Sequence, residues 1–267
     1  MLPAVSVNAD SPWPAQAALD TGISGKMSTS KDTHTKHISQ QFNSELSELK
    51  NRLLVMGGIV EQQVQNAVEA LVNGDSELAD RVRAKDKEVD QIELTIDEEA
   101  TRIIAKRQPA ASDLRLVVSV IKMVADLERI GDEAKKIAKF ALALAEEGQA
   151  PRGYVEVRHI GTHVASMVRD ALDAFARFDT KVALAVMKED DAVDNEYRSA
   201  TRALVTFMME DPRSISRCLN IMWVLRALER VGDHANNVAE HVIFMVEGTD
   251  VRHAPMSYAE HAVERQS

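Results

Sequence analysis

The sequence predicts an all-α protein made of two pseudo-symmetric, antiparallel three-helix bundles, six long helices in all. Three observations predict it. Apolar residues recur by threes and fours through most of the chain, no proline stands between Pro14 and Pro109, and one acidic segment occurs twice. The two copies are Leu127-Glu128-Arg129-Ile130-Gly131-Asp132 and Leu228-Glu229-Arg230-Val231-Gly232-Asp233. The composition, 45% apolar and 28% charged with few aromatics, suits helices better than strands.

From Gln41 onward, Leu46, Leu49, Leu53, Met56, Val60, Val64, Ala67 and Leu71 form one apolar stripe and predict the first helix. Asn73-Gly74 stops it, and Asp75 is placed to cap the second helix, which runs through Val82, Val89, Ile96 and Ile103 to about Gln108. Pro109 ends that helix. The third starts near Ser112 and continues through Leu116, Met123, Leu127, Ile130 and Ile137 until Gly148 and Pro151. The plan then repeats. A fourth helix covers about Tyr154 to Phe178, Asp179 stands where Asp75 stood, and a fifth runs to about Met209 before Asp211-Pro212. The sixth passes through Ile221, Leu228, Val231, Ala235 and Val242 and ends at Gly248. The repeats are offset by 104 residues at the first turn and by 101 at the acidic segment. Helices of about 30 residues are about 45 Å long, and short turns force neighbours antiparallel. The expected organisation is therefore an unstructured extension over 1–33, a first bundle over 34–150, a second over 151–248, and a polar tail over 249–267.

The bulk numbers exclude several functions. A net charge of −10 disfavours a nucleic-acid backbone and favours cations or basic protein surfaces. Cys218 is the only cysteine, so no internal disulfide forms and a reducing cytoplasm is expected. Charges interrupt every apolar run, which limits any membrane contact to the peripheral kind. No glycine-rich phosphate loop, Gly-x-Ser-x-Gly or cysteine nucleophile is present, so an enzyme is not indicated.

The duplicated segment carries the chemistry. Glu128 and Asp132, and again Glu229 and Asp233, lie one helical turn apart on a common face, about 100° from the apolar seam. A like-charge pair beside a helical glycine gives up local stability, and it does so twice. Asp86, Asp90, Glu93 and Asp97 line the second helix; Asp190, Asp191 and Asp194 line the fifth, with Asp90 and Asp194 at equivalent places. Were these flanks merely solvated, Arg129 and Arg230 would pair with Asp132 and Asp233, and Lys85, Lys87 and Lys188 would neutralise the stripes. Were the stripes of neighbouring helices to face each other, a cation would relieve the repulsion. The candidate metal ligands are Glu128, Asp132, Glu229, Asp233, Asp90 and Asp194, with His234 as a candidate nitrogen donor. Oxygen ligation favours ions such as Mg, Mn, Fe or Ca over a thiolate zinc site.

The segments Asp113-Leu114-Arg115, Asp126-Leu127-Glu128-Arg129-Ile130-Gly131-Asp132-Glu133-Ala134 and Leu225 to Glu240 resemble the PhoU family of phosphate-specific transport accessory and regulatory proteins. The likeness covers about His34 to Gly248. Arg115 lies outside the duplication, because Ser214-Ile215-Ser216 stands at the corresponding place. The resemblance implies paired three-helix bundles and metal ions held by Glu128, Asp132, Glu229 and Asp233, with Mg, Mn, Fe or Zn as the expected cofactors. It further implies a cytoplasmic, non-enzymatic negative regulator of phosphate-starvation signalling. Such a protein links the phosphate ABC transporter, through its ATPase subunit, to a sensor histidine kinase, and is expected to be a homodimer. Two other readings compete. One is a metal-independent helical scaffold whose acidic stripes meet a basic partner. The other is a ferritin-like di-iron protein, which needs two inward Glu-x-x-His elements where only Glu156-Val157-Arg158-His159 has the spacing.

Overall fold

A computed structural model describes residues 29–146 and 154–265, with side chains from Gln40. The extension over 1–28 lies outside the described residues. Seven α-helices follow in order: α1 Thr29–Asn73, α2 Ser76–Arg107, α3 Ala111–Glu146, α4 Tyr154–Arg177, α5 Thr180–Glu210, α6 Ile215–Glu247 and α7 Met256–Glu264. The chain divides into two compact units at Gln40 and Gln41, and the contacts below belong to the second. No strand occurs among the described residues.

The turns form for local reasons that the sequence displays. Asp75 accepts a hydrogen bond from Leu78 N at 2.9 Å, and Asp179 accepts from Lys181 N and Val182 N at 3.0 and 3.1 Å, so both caps satisfy otherwise orphaned amides. The two α-α turns are copies. Asp75 N donates to Ala70 O and Asp179 N to Ala174 O, each at 2.9 Å. The residue that must turn left-handed is Gly74 in the first copy, with φ +67°, but Phe178 in the second, with φ +55°. A non-glycine there is strained. Packing holds it: the Phe178 ring stands edge-on to Phe175, and Lys50 Nζ lies 4.1 Å from its centroid.

Each bundle closes on its own seam, and the two then join. Arg107 grips Glu45 with two hydrogen bonds of 2.9 and 2.8 Å, tying α2 to α1, while α2 packs on α3. In the second half α5 packs on both α4 and α6. The halves meet along two antiparallel pairs, α1 with α4 and α3 with α6. Lys50 Nζ donates to Ala176 O at 2.6 Å and Arg169 pairs with Glu61 at 2.8 Å. Gly57 and Gly161 let α1 and α4 approach: a Cβ on Gly161 would sit 2.6 Å from Val68 Cγ2.

The boundaries differ from expectation at both ends. α1 begins at Thr29, ahead of Gln41. The segment after Thr249 is no simple polar tail, because α7 buries Ala259 and Val263, Val251 is also buried, and Glu260 pairs with Lys188 at 2.6 Å. Met256, Ala259, Ala262 and Val263 recur by threes and fours, a short stripe within a segment that is otherwise polar. Its place on α5 is a tertiary choice.

Candidate functional site

The acidic stripes do come together, one pair of helices in each repeat. On α3, burial and the neighbouring Asp132 push the Glu128 carboxyl upward, with Asp90 and Asp86 of α2 adding to the effect. Burial and Glu128 push Glu93 upward in turn. In the second repeat the effect is stronger. Burial, then Asp233, Asp194 and Asp191, raises Asp190 to about 6. Glu229 is raised by burial and Asp233, and Asp233 by burial and Asp194. All six candidate ligands therefore belong to two carboxylate clusters, α2 with α3 and α5 with α6.

The clusters differ in how their charge is balanced. Lys135 Nζ donates to the buried Asp86 carboxylate and lies 3.8 Å from Asp132, so α3 supplies the first cluster's own cation. In the second, Arg226 is bonded to Glu229 Oε1 and Arg198 to Asp194 at 2.6 Å. Glu229 nonetheless leaves Oε2 buried with no hydrogen-bond partner, on a residue only 8% exposed. A buried carboxylate oxygen without a donor is costly. The donor set at this place, the carboxylates of Glu229, Asp233, Asp190 and Asp194 with one oxygen of Glu229 orphaned, suits a hard cation. Among the described residues, however, no three His, Cys, Asp or Glu side chains converge into a ready-made coordination shell.

Several side chains do other work than expected. Arg129 pairs with Glu128 at 3.6 Å rather than with Asp132. Arg230 makes its ion pair not with Asp233 but across the seam, with the buried Glu133 of α3 at 2.9 Å. Lys188 belongs to Glu260 of α7. Glu229 does not merely flank the core, since it is buried among its neighbours. His234 Nδ1 donates to Asp126 Oδ1 at 2.9 Å, and Asn237 Nδ2 donates to the same oxygen at 3.0 Å. His241 Nε2 stands 3.4 Å from the other carboxylate oxygen. Burial alone would raise Asp126, but these three partners outweigh it and hold it at about 2. Arg115 donates to Met245 O at 3.3 Å and lies against Gly248, so it caps α6 and is not part of either cluster.

The Asp126 hub joins the repeats two residues before Glu128 and one residue after Asp233. Sequence reasoning did not assign it. The available signal was the run His234, Asn237, His241, which places three polar side chains on one stripe of the sixth helix.

The PhoU domain pattern matches residues 53–141 and 157–242, once in each repeat. The chain belongs to the PhoU domain family. The Pseudomonas aeruginosa protein named phosphate-specific transport system accessory protein PhoU homolog is 61% identical over 234 residues, 88% of this chain and 97% of that one. The Escherichia coli K12 phosphate-specific transport system accessory protein PhoU is 47% identical over 218 residues, 82% of this chain and 90% of the relative. The crystal structure of PhoU from Pseudomonas aeruginosa superposes with a TM-score of 0.77 at 62% identity, covering 78% of this chain and all of that one. A regulatory PhoU from Streptococcus pneumoniae gives 0.73 at 30% identity, covering 79% and 99%. The all-α fold is that of these PhoU structures. Among the described residues no helix is long and apolar enough to cross a membrane.

Proposed function

We propose that this PhoU-family chain is a cytoplasmic, non-enzymatic accessory of phosphate-specific transport that represses phosphate-starvation signalling while phosphate is ample. It acts as a homodimer between the ATPase subunit of the phosphate ABC transporter and the sensor histidine kinase of the phosphate two-component system. The names borne by relatives of 61% and 47% identity support the transport role. A helical surface built of interlocked repeats, without a nucleophile or phosphate loop, supports an adaptor over a catalyst.

The observation that carries the cation part of this reading is Glu229. Its Oε2 is buried and unpartnered beside Asp233, Asp190 and Asp194, whose mutual repulsion a divalent or trivalent ion would relieve. Glu229, Asp233 and Asp194 would hold such an ion in the second repeat, and Glu128, Asp132 and Asp90 in the first. Mg, Mn, Fe and Zn are the ions proposed. When bound, the ion supplies charge neutralisation and fixes α5 against α6. The chain's own residues supply the rest: Lys135 and Arg226 set how much negative charge each cluster retains.

A metal-independent adaptor is the second reading, favoured at the first repeat because Lys135 already bridges Asp86 and Asp132. The two are separated by elemental analysis of chelator-free protein alongside a starvation-promoter reporter in phosphate-replete cells. Constitutive reporter activity in cells carrying Glu229→Gln and Asp233→Asn, with bound metal lost, supports the metal-dependent regulator. Full repression with no metal in the wild-type protein overturns the metal part and leaves the adaptor.

A further inference from the structure

On the α4 side of α5 lies a cluster that neither carboxylate site uses. His159 Nε2 and His163 Nδ1, from residues one turn apart on α4, stand 3.3 and 3.2 Å from the same oxygen of Glu196 on α5. The other oxygen of Glu196, Oε2, is buried with no hydrogen-bond partner. On its far side the His163 ring meets Glu189, whose Oε2 lies 3.0 Å from Nε2. A neutral imidazole has one N–H and serves only one of these two carboxylates, so its other nitrogen would face a carboxylate oxygen lone pair to lone pair. A second positive centre is needed there, either another ring proton or a cation.

The fold does not require these groups. By the 104-residue offset, His159, His163, Glu189 and Glu196 correspond to Val55, Ile59, Lys85 and Ile92 of the first repeat. Ile59 and Ile92 pack against the core, so the same two helices form there with no histidine or carboxylate at these places. The second repeat carries a polar cluster where the first packs two isoleucines.

We propose that His159, His163 and Glu196 bind a divalent transition-metal ion, zinc foremost, at a site separate from both carboxylate clusters. Two imidazole nitrogens favour Zn, Ni or Co over Mg and Mn, which prefer oxygen. Bonds of about 2.0–2.1 Å to a tetrahedral ion set neighbouring donors about 3.3 Å apart. Both nitrogens already keep that spacing from Glu196 Oε1. The three side chains are not a ready-made coordination shell, because they hold one another by hydrogen bonds, and the ion takes the place of the bridging protons, which are released to solvent. Glu189 supports the arrangement. By accepting from His163 Nε2 it fixes the tautomer whose Nδ1 lone pair turns toward the ion, as a carboxylate behind a ligating histidine does in other metal sites. His159, with a side chain 71% exposed, leaves the fourth position open to water. The ion would tie α4 to α5.

Equilibrium dialysis of the full chain against zinc, with excess magnesium to compete at the oxygen-only clusters, tests the site. The chain should retain zinc, and cobalt(II) in its place should show the strong visible absorption of a four-coordinate ion rather than the weak absorption of a six-coordinate one. His159→Gln, at an exposed position, should weaken zinc binding by more than about tenfold and abolish that spectrum, and Glu196→Gln should do the same. Glu189→Gln should weaken binding by about 10- to 100-fold while keeping the four-coordinate spectrum. Asp233→Asn and Asp132→Asn, in the carboxylate clusters, should leave both readings unchanged. Zinc uptake that ignores His159→Gln but falls with Asp233→Asn puts the ion in the carboxylate clusters and overturns the proposal. Absence of zinc uptake overturns it as well, and leaves His163 as a doubly protonated bridge between Glu189 and Glu196.

Discussion

Asp126 on α3 and His234 on α6 meet at 2.9 Å across the seam that joins the two repeats. With Asn237 and His241 they form a polar hub inside an apolar interface. Its carboxyl titrates at about 2, below the unfolded value of 3.8, so the ionised form is favoured by folding. The stabilisation is therefore complete above about pH 4 and is lost as pH falls through the folded value toward 2. Asp126→Asn should cost on the order of 2 kcal/mol at neutral pH. Urea unfolding at pH 7 and pH 3 checks it: the gap between wild type and variant should narrow at the lower pH, and a constant gap would contradict the linkage.

Asp190 works in the opposite direction. Its carboxyl is raised to about 6 by burial and by Asp233, Asp194 and Asp191, so its charge opposes folding at neutral pH. Asp190→Asn should stabilise metal-free protein by about 1 kcal/mol once solvent screening is discounted. Added Mn or Mg should stabilise the wild type more than the variant. Calorimetry with and without the ion reads both, and a destabilised metal-free variant would argue against unrelieved repulsion.

The two carboxylate clusters should not be equal. Lys135 sits within the first cluster, whereas the second leaves Glu229 Oε2 unpartnered. Asp233→Asn should therefore lower bound metal more than Asp132→Asn does. Lys135→Met should raise the first site's uptake. Elemental analysis of the three variants decides the order; equal losses would mean that Lys135 does not set the charge balance.

The four helical glycines at crossings separate into two kinds. A Cβ on Gly161 would stand 2.6 Å from Val68 Cγ2, on a stiff β-branched side chain, so Gly161→Ala should cost about 1–3 kcal/mol. Gly57 faces the more flexible Leu172 and should cost less. A Cβ on Gly131 or Gly232 meets nothing nearer than 3.5 and 3.4 Å. Gly131→Ala and Gly232→Ala should then gain about 0.5–1 kcal/mol from helix propensity. Melting temperatures of the four variants test the split.

Ending the chain after Thr249 should lower stability by a few kcal/mol, because Val251, Ala259 and Val263 are buried and Glu260 pairs with Lys188. A freely dispensable end would leave the unfolding midpoint unchanged.

The sequence alone determined the six long helices, their caps and breaks, and the duplication. These depend on local periodicity, on Asp75 and Asp179 at the turns, and on Pro109 and Gly248 at helix ends, all of which act within a few residues. It also determined that Glu128 with Asp132, and Glu229 with Asp233, share a helix face, since a four-residue spacing fixes that directly. Tertiary structure alone decided which charge meets which. Arg230 had Asp233 within reach on its own helix and went instead to Glu133 of the other repeat. Lys135 took Asp86 from across the first bundle. Side chains of that length have several partners in range, and burial, which no local pattern encodes, selects among them. The same holds for α7, whose short stripe of Met256, Ala259, Ala262 and Val263 marks a helix but not that α5 provides the surface it covers.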